Sequence, residues 1–235
     1  MKFDQRVIKI LTNYANIHED LYFSPGNVLS TTTPTRTVIA RARIDETIPR
    51  EFAVHNLPKL ISILKMFKSP SIEIEREGEG EVLKIQEGER VAQFTLSPPE
   101  LILKPPTNEP TFKKIVSFKI PSDIVQELKN ATSVFGHGEL VFRTEGGRII
   151  VETTNVANPT DDKYMVVVGE HKDKFCVTVK MKNFELLQED YEVAISYMNR
   201  NDKHVGIVYM NGPTIEYFLA TEYKYTQLPR IAHAA

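Results

Sequence analysis

The chain reads as an α+β protein built from two repeated domains, each with two helices packed on a curved antiparallel sheet layer. Three observations predict this. A helix, a group of strands, a second helix and three more strands run through residues 3–96, and the same order returns after one extra strand in 111–220. Most strand segments alternate apolar and polar side chains, the pattern of a sheet with one wet face. A Pro-rich run at 97–110 separates the two series. The length of 235 residues, at about 150 residues per domain, allows one large domain or two small ones.

In the first series, Phe3, Val7, Ile10, Leu11 and Tyr14 recur at helical spacing and predict a helix over 3–15. Lys2, Arg6, Lys9 and Asn13 fall on its flank. Strands follow at Leu21–Phe23, Val28–Thr31 and Thr37–Ile44. In the last of these Arg41 and Arg43 alternate with Val38, Ala40, Ala42 and Ile44 and are expected in water. A strand at Glu51–His55 leads into a helix near Pro58–Lys68, with Pro58 in the first turn, where a missing N–H costs nothing. Leu60, Ile63, Leu64 and Phe67 form its apolar face. Strands at 72–77, 81–85 and 90–96 are separated by Glu-Gly turns.

The domain boundaries predicted are 1–96, a linker at 97–110, and 111–235. The second series opens with a strand at Thr111–Ile120. A helix at Ser122–Phe135 follows, with Ser122 as N-cap and Asp123 in its first turn. Strands at 139–144 and 148–154 are joined by Gly146-Gly147, a hairpin signal. Strands at 163–168 and 175–181 precede a short helix near Lys182–Gln188. Strands at 191–197, 205–210 and 214–220 close the series. Phe52-x-Val54 before the second helix overlays Phe175-x-Val177 before the fourth, with one residue inserted, so the chain carries two copies of one unit.

Composition excludes several functions. Hydrophobic residues are 41% and charged residues 26%, which suits a packed core and not disorder. A net charge of −2 excludes a uniformly basic nucleic-acid binder but not segregated basic and acidic faces. The one cysteine, Cys176, cannot form an internal disulfide or a Cys-based zinc cage. The first residues lack the apolar core of a signal peptide, and the most apolar stretch, 57–67, is too short to span a bilayer. A soluble intracellular protein is expected, with no membrane partner. No phosphate loop, nucleophile elbow or metalloprotease motif is present, and the six histidines have no ligand spacing. No catalytic residue, metal or cofactor is therefore expected.

The run Ile10-Leu11-Thr12-Asn13-Tyr14-Ala15-Asn16-Ile17 resembles the first helix of the DNA polymerase sliding clamps of large tailed bacteriophages. Phe52-Ala53-Val54-His55-Asn56-Leu57 with Leu60–Leu64 is similar to their second strand–helix step. Phe175-x-Val177 through Lys182, then Tyr191-Glu192-Val193, is similar to the matching step in the second half. The segment 226–235 departs from the pattern. The resemblance covers nearly the whole chain. It implies the DNA-clamp fold closing into a trimeric ring, a homotrimer that threads duplex DNA without reading its sequence and tethers the replicative DNA polymerase. It further implies an ATP-dependent clamp loader, no chemistry of its own, and residence in the cytoplasm of an infected bacterial host.

On that reading the DNA-facing residues are Lys2, Arg6 and Lys9 on the first helix, Lys59, Lys65 and Lys68 on the second, Lys129 on the third and Lys182 on the fourth. Lysine and arginine suit a sliding contact because phosphate attraction carries no sequence information. Any one of these cations alone is better read as an ordinary solvated helix residue; the argument rests on the set. The run of Glu73, Glu75, Glu77, Glu79, Glu81, Glu87 and Glu89 would repel DNA from an outer surface or simply blunt a sheet edge. Clamp partners insert a hydrophobic peptide beside the linker, which points to Leu101, Ile102, Leu103 and Phe218 as the partner-peptide pocket. Arg90–Leu96 and Lys163–Val168 are the strands expected to pair between subunits. Two other readings compete: a β-rich structural or interaction protein of a virion that does not encircle DNA, and a small hydrolase using Cys176 or a His–carboxylate pair.

Overall fold

The structure, a computed structural model, describes residues 1–107, 111–158, 160–200 and 203–228; residues 229–235, most of the segment that departs from the family pattern, lie outside the described residues. The chain divides into two compact units, Met1–Thr107 and Asn108–Ala235.

In the first unit, α1 (Gln5–Ile17) starts where Asp4 accepts the Val7 N–H at 2.8 Å, satisfying one of the orphan donors of a helix start. Its buried face carries Val7, Ile10, Leu11 and Tyr14. The strands are β1 (Leu21–Phe23), β2 (Gly26–Thr32), β3 (Val38–Ile48) and β4 (Phe52–Val54), with β1 paired to β4 and β2 to β3. The core between helices and strands is capped by a stack of Phe3, Phe23 and Phe52, with centroids 6.1 and 4.3 Å apart. Asn56 adopts φ 63° and accepts the Lys59 N–H, opening α2 (Leu57–Leu64). This helix is shorter than its apolar spacing suggests. Past Lys65 the Met66 and Phe67 amides reach carbonyls only three residues back, and the tightened turn ends it before Pro70. β5 (Ser71–Glu77), β6 (Gly80–Glu87) and β7 (Arg90–Thr95) form a meander with β7 at its edge.

In the second unit β8 (Lys113–Ile120) leads to α3 (Ser122–Phe135). Ser122 is the first helical residue and not the cap; its N–H is satisfied by Asp190, 68 positions away, at 2.8 Å. β9 (Glu139–Glu145) and β10 (Arg148–Thr154) turn at Gly146 and Gly147, both at positive φ as a two-residue hairpin requires. With β11 (Tyr164–Glu170) and β12 (Cys176–Lys180) they form a sheet in the order β11-β10-β9-β12. A ladder of β8, β13 (Tyr191–Arg200), β14 (Lys203–Asn211) and β15 (Glu216–Ala220) completes the unit.

The duplication shows in hydrogen bonds. β1 pairs with β4 as β9 pairs with β12. Met1 and Ile72 exchange two backbone bonds at 2.8 Å where, in the second unit, β8 pairs with β13. The overlay of Phe52-x-Val54 on Phe175-x-Val177 sets Ala53 on Cys176. Each of these makes an isolated bridge to the segment after its unit's last strand, Ser97 and Gln227 respectively.

The expected fourth helix is absent. Met181–Asn183 is a 3-10 turn and 184–190 is irregular. Its backbone groups are bound from outside: Leu186 O accepts the Lys129 ammonium at 2.6 Å, the Leu187 N–H reaches the Tyr217 hydroxyl at 3.2 Å, and Leu187 O accepts the Tyr191 hydroxyl at 2.8 Å. Those partners replace the internal bonds a helix would make.

Candidate nucleic-acid interface

The candidate cations of the first unit fall on or beside two helices that pack against each other. Arg6 and Lys9 stand exposed on α1 because its apolar residues occupy the opposite stripe. Lys2 is exposed just before the helix. Lys59 is exposed in the first turn of α2, Lys65 at its C-cap, and Lys68 beyond it. Neither helix contains an acidic residue. Two acids from β3 meet the start of α1: Asp45 lies 4.0 Å from Arg6, and Glu46 accepts the Lys2 backbone N–H at 2.7 Å. The backbone under Lys68 is fixed by Glu87, whose carboxylate takes the Lys68 and Ser69 amides at 3.2 and 2.7 Å. The Ser69 amide above all, helped by Arg90, holds that carboxyl below its ordinary range.

The second unit is arranged differently. Lys129 is half-buried, and its ammonium is engaged by Leu186 O; burial pulls its pKa down. On the same helix Glu127 accepts the Tyr164 hydroxyl at 2.5 Å. Lys182 is exposed, but on the 3-10 turn and not on a helix.

The acidic strands β5 and β6 combine paired and exposed carboxylates. Arg50 grips Glu81 through two bonds of 2.8 and 3.1 Å, and Lys84 meets Glu75 at 2.9 Å. Glu73, Glu77, Glu79 and Glu89 are exposed.

The apolar residues proposed for partner binding separate by environment. Leu101 is 74% exposed, Ile102 is buried and Leu103 half-buried, all in the first unit. Phe218, in the second unit, is not on an open polar face. Its ring is buried by Phe112 and Tyr209, with centroids 5.7 and 5.0 Å away. A groove of about 240 Å³ opens beside Tyr209, lined also by Lys114, Ser117, Ala194 and Asn211. Tyr209 and Phe112 were missed because the first sits in an alternating strand and the second beside the prolines. Cross-strand register alone, Tyr209 opposite Phe218, would have found one of them.

Cys176 is half-buried and burial pushes its thiol up, which opposes the thiolate a nucleophile needs. Among the described residues no group of three or more His, Cys, Asp or Glu side chains is placed to hold a metal.

No protein-family model matches the chain. It is similar to the sliding clamp of Vibrio phage KVP40, 26% identical over 229 residues that span 94% of this chain and 99% of the relative. It is also similar to the sliding clamp of Escherichia phage RB69, 23% identical over 202 residues, 83% of this chain and 87% of that one. Among solved structures, Proliferating Cellular Nuclear Antigen from Entamoeba histolytica superposes with a TM-score of 0.66 at 12% identity, covering 94% of this chain and 98% of the other. The structural likeness establishes the fold, and the phage relatives bear out the resemblance read from the sequence.

Proposed function

We infer that this chain is a DNA sliding clamp, a ring around duplex DNA that tethers the replicative polymerase. The observation that carries the reading is the end-to-end similarity to a phage sliding clamp over 229 residues. Both curated relatives carry the sliding-clamp name, and neither supports the virion-component alternative.

The surface chemistry of the first unit fits a sliding contact. Duplex DNA presents one negative charge per roughly 1.7 Å of axis, so a lysine- and arginine-bearing surface meets a nearly uniform target. The exposed faces of α1 and α2 offer such cations without acidic residues on the same helices. Lys129 contributes less than the exposed cations, since it is half-buried with its ammonium turned to the Leu186 carbonyl.

In this reading the ring is a homotrimer closed by edge strands. β7 and β11 each lie at a sheet edge and expose large apolar residues: Val91 on one, Met165 and Val167 on the other. Unpaired backbone groups beside apolar side chains are what a strand from a second copy would cover. The clamp performs no reaction. A closed ring keeps a dissociated polymerase at high effective concentration near its template, so re-binding outruns escape. An ATP-driven loader opens one interface, and the protein works in the cytoplasm of the infected bacterium.

The test is topological. The native mass should be that of three chains, and loaded protein should stay on nicked circular DNA but run off once the circle is linearised. A monomer that leaves both DNAs equally would overturn the reading. Lys9→Glu with Lys59→Glu should cut polymerase processivity several-fold at low salt, with a smaller difference at high salt and an unchanged thermal midpoint. Full processivity would remove α1 and α2 from the DNA surface.

A further inference from the structure

Residues 97–107 contain Pro98, Pro99, Pro105 and Pro106, which supply no N–H for a ladder and favour a free, extended segment. The first unit holds this segment down instead. The Ser97 N–H bonds Ala53 O at 3.0 Å, and Ile102 is buried. At the far end, Arg41 Nη2 donates to Pro106 O at 2.8 Å. Between them the Lys104 ammonium sits 4.4 Å from the centroid of the Tyr22 ring and 3.6 Å from Glu51, which also accepts the Tyr22 hydroxyl.

Arg41 is the unusual member. It is only 7% exposed, whereas Arg43, two residues along the same strand, is exposed. Burying a guanidinium is costly unless its donors find partners. The strand alternation would have left Arg41 in water, yet it is buried and one of its donors is given to the Pro106 carbonyl. That bond helps fix the path of 98–106, along which Leu101 stands 74% exposed between two anchors.

We propose that Arg41, together with the Tyr22–Glu51–Lys104 cluster, is a positioning device: it sets residues 98–106 in one conformation and presents Leu101 to an extended apolar segment of the polymerase. The proposal rests on the sliding-clamp reading and deepens it. A pre-ordered strap spares the partner the entropy of ordering a free linker, so affinity depends on residues that never touch it.

The experiment measures capture of the cognate replicative polymerase by the full-length protein, beside amide exchange and retention on nicked circular DNA. Arg41→Met should weaken capture about tenfold and Lys104→Met about threefold. Amide exchange should quicken at 101–104 and stay unchanged in β2 and β3. DNA retention should be normal, and Arg41→Lys should recover part of the capture. Leu101→Ser is the reference, expected to weaken capture with no change in exchange. Full capture by Arg41→Met and Lys104→Met while Leu101→Ser fails would overturn the positioning role and leave docking at the linker standing. Full capture by all three would overturn docking there, and with it the proposal. Should Arg41→Met fail to fold, the exposed Lys104 variant alone decides.

Discussion

The two units follow one plan but solve their second helix differently, and the difference shows what a local pattern can and cannot do. In α2, Leu57, Leu60, Ile61 and Leu64 are all buried at helical spacing, Asn56 caps the start, and Pro58 fits the first turn. Its cap and its apolar stripe lie within nine residues, 56–64, and only the first amides are met from outside, Asn56 N–H by Asp20 at 3.2 Å and Leu57 N–H by Glu19 O at 2.6 Å. The matching segment after β12 has Phe184 and Leu186 buried two apart, which no helix face can satisfy, and its amides and carbonyls are bonded by Lys129, Tyr191 and Tyr217. Burial pushes both tyrosine hydroxyls far above their usual range, keeping them neutral donors and acceptors. The first unit therefore leaves its cations on the solvent side of a helix, while the second uses Lys129 as internal bonding.

This comparison can be broken in three ways. The largest effect is expected from Leu60→Ala, which empties a fully buried site on the apolar stripe of α2. It should cost about 2–5 kcal/mol, read as a lowered urea midpoint. A loss under 1 kcal/mol would mean that the buried stripe is not what anchors α2. Next, Tyr217→Phe should strand the Leu187 N–H and cost about 1–3 kcal/mol, with faster exchange of that amide in particular. An unchanged Leu187 exchange rate would show that the segment needs no tyrosine.

The smallest effect is a pH response of the strap. Tyr22 first, then Lys104, depress the Glu51 carboxyl, so that contribution is present above the ordinary carboxylate range and lost as pH falls through the folded value. The Lys104 and Tyr22 pKa values are both raised, chiefly by the Tyr22 and Glu51 hydrogen bonds respectively, so their contribution is lost as pH rises through the folded values. Exchange-corrected protection at 101–104 should hold between about pH 5 and 9 and fall on either side. Flat protection down to pH 3 would separate Glu51 from the strap.

Most of the fold was legible because its elements are locally consistent. The α1 stripe of Val7, Ile10, Leu11 and Tyr14, the Gly146-Gly147 hairpin and the alternating strands each carry their own signal. The exposed candidates Arg6, Lys9 and Lys59 follow from the same periodicity. Where the reading failed, the deciding partner was distant. Ser122 was read as a cap, but Asp190 satisfies its amide. Phe218 is a pocket candidate by sequence, but Phe112 and Tyr209 cover it.

The amino-acid order by itself determined the two-copy plan, the amphipathic faces of α1 and α2 and the concentration of acid in β5 and β6, because periodicity and turn chemistry act over a few residues. Tertiary structure alone decided that Arg41 is buried, that Lys129 bonds a carbonyl and that 184–190 is not helical. Each of those outcomes depends on a donor or acceptor delivered from 30 to 65 positions away, and a buried polar group accepts whichever partner folding brings within reach.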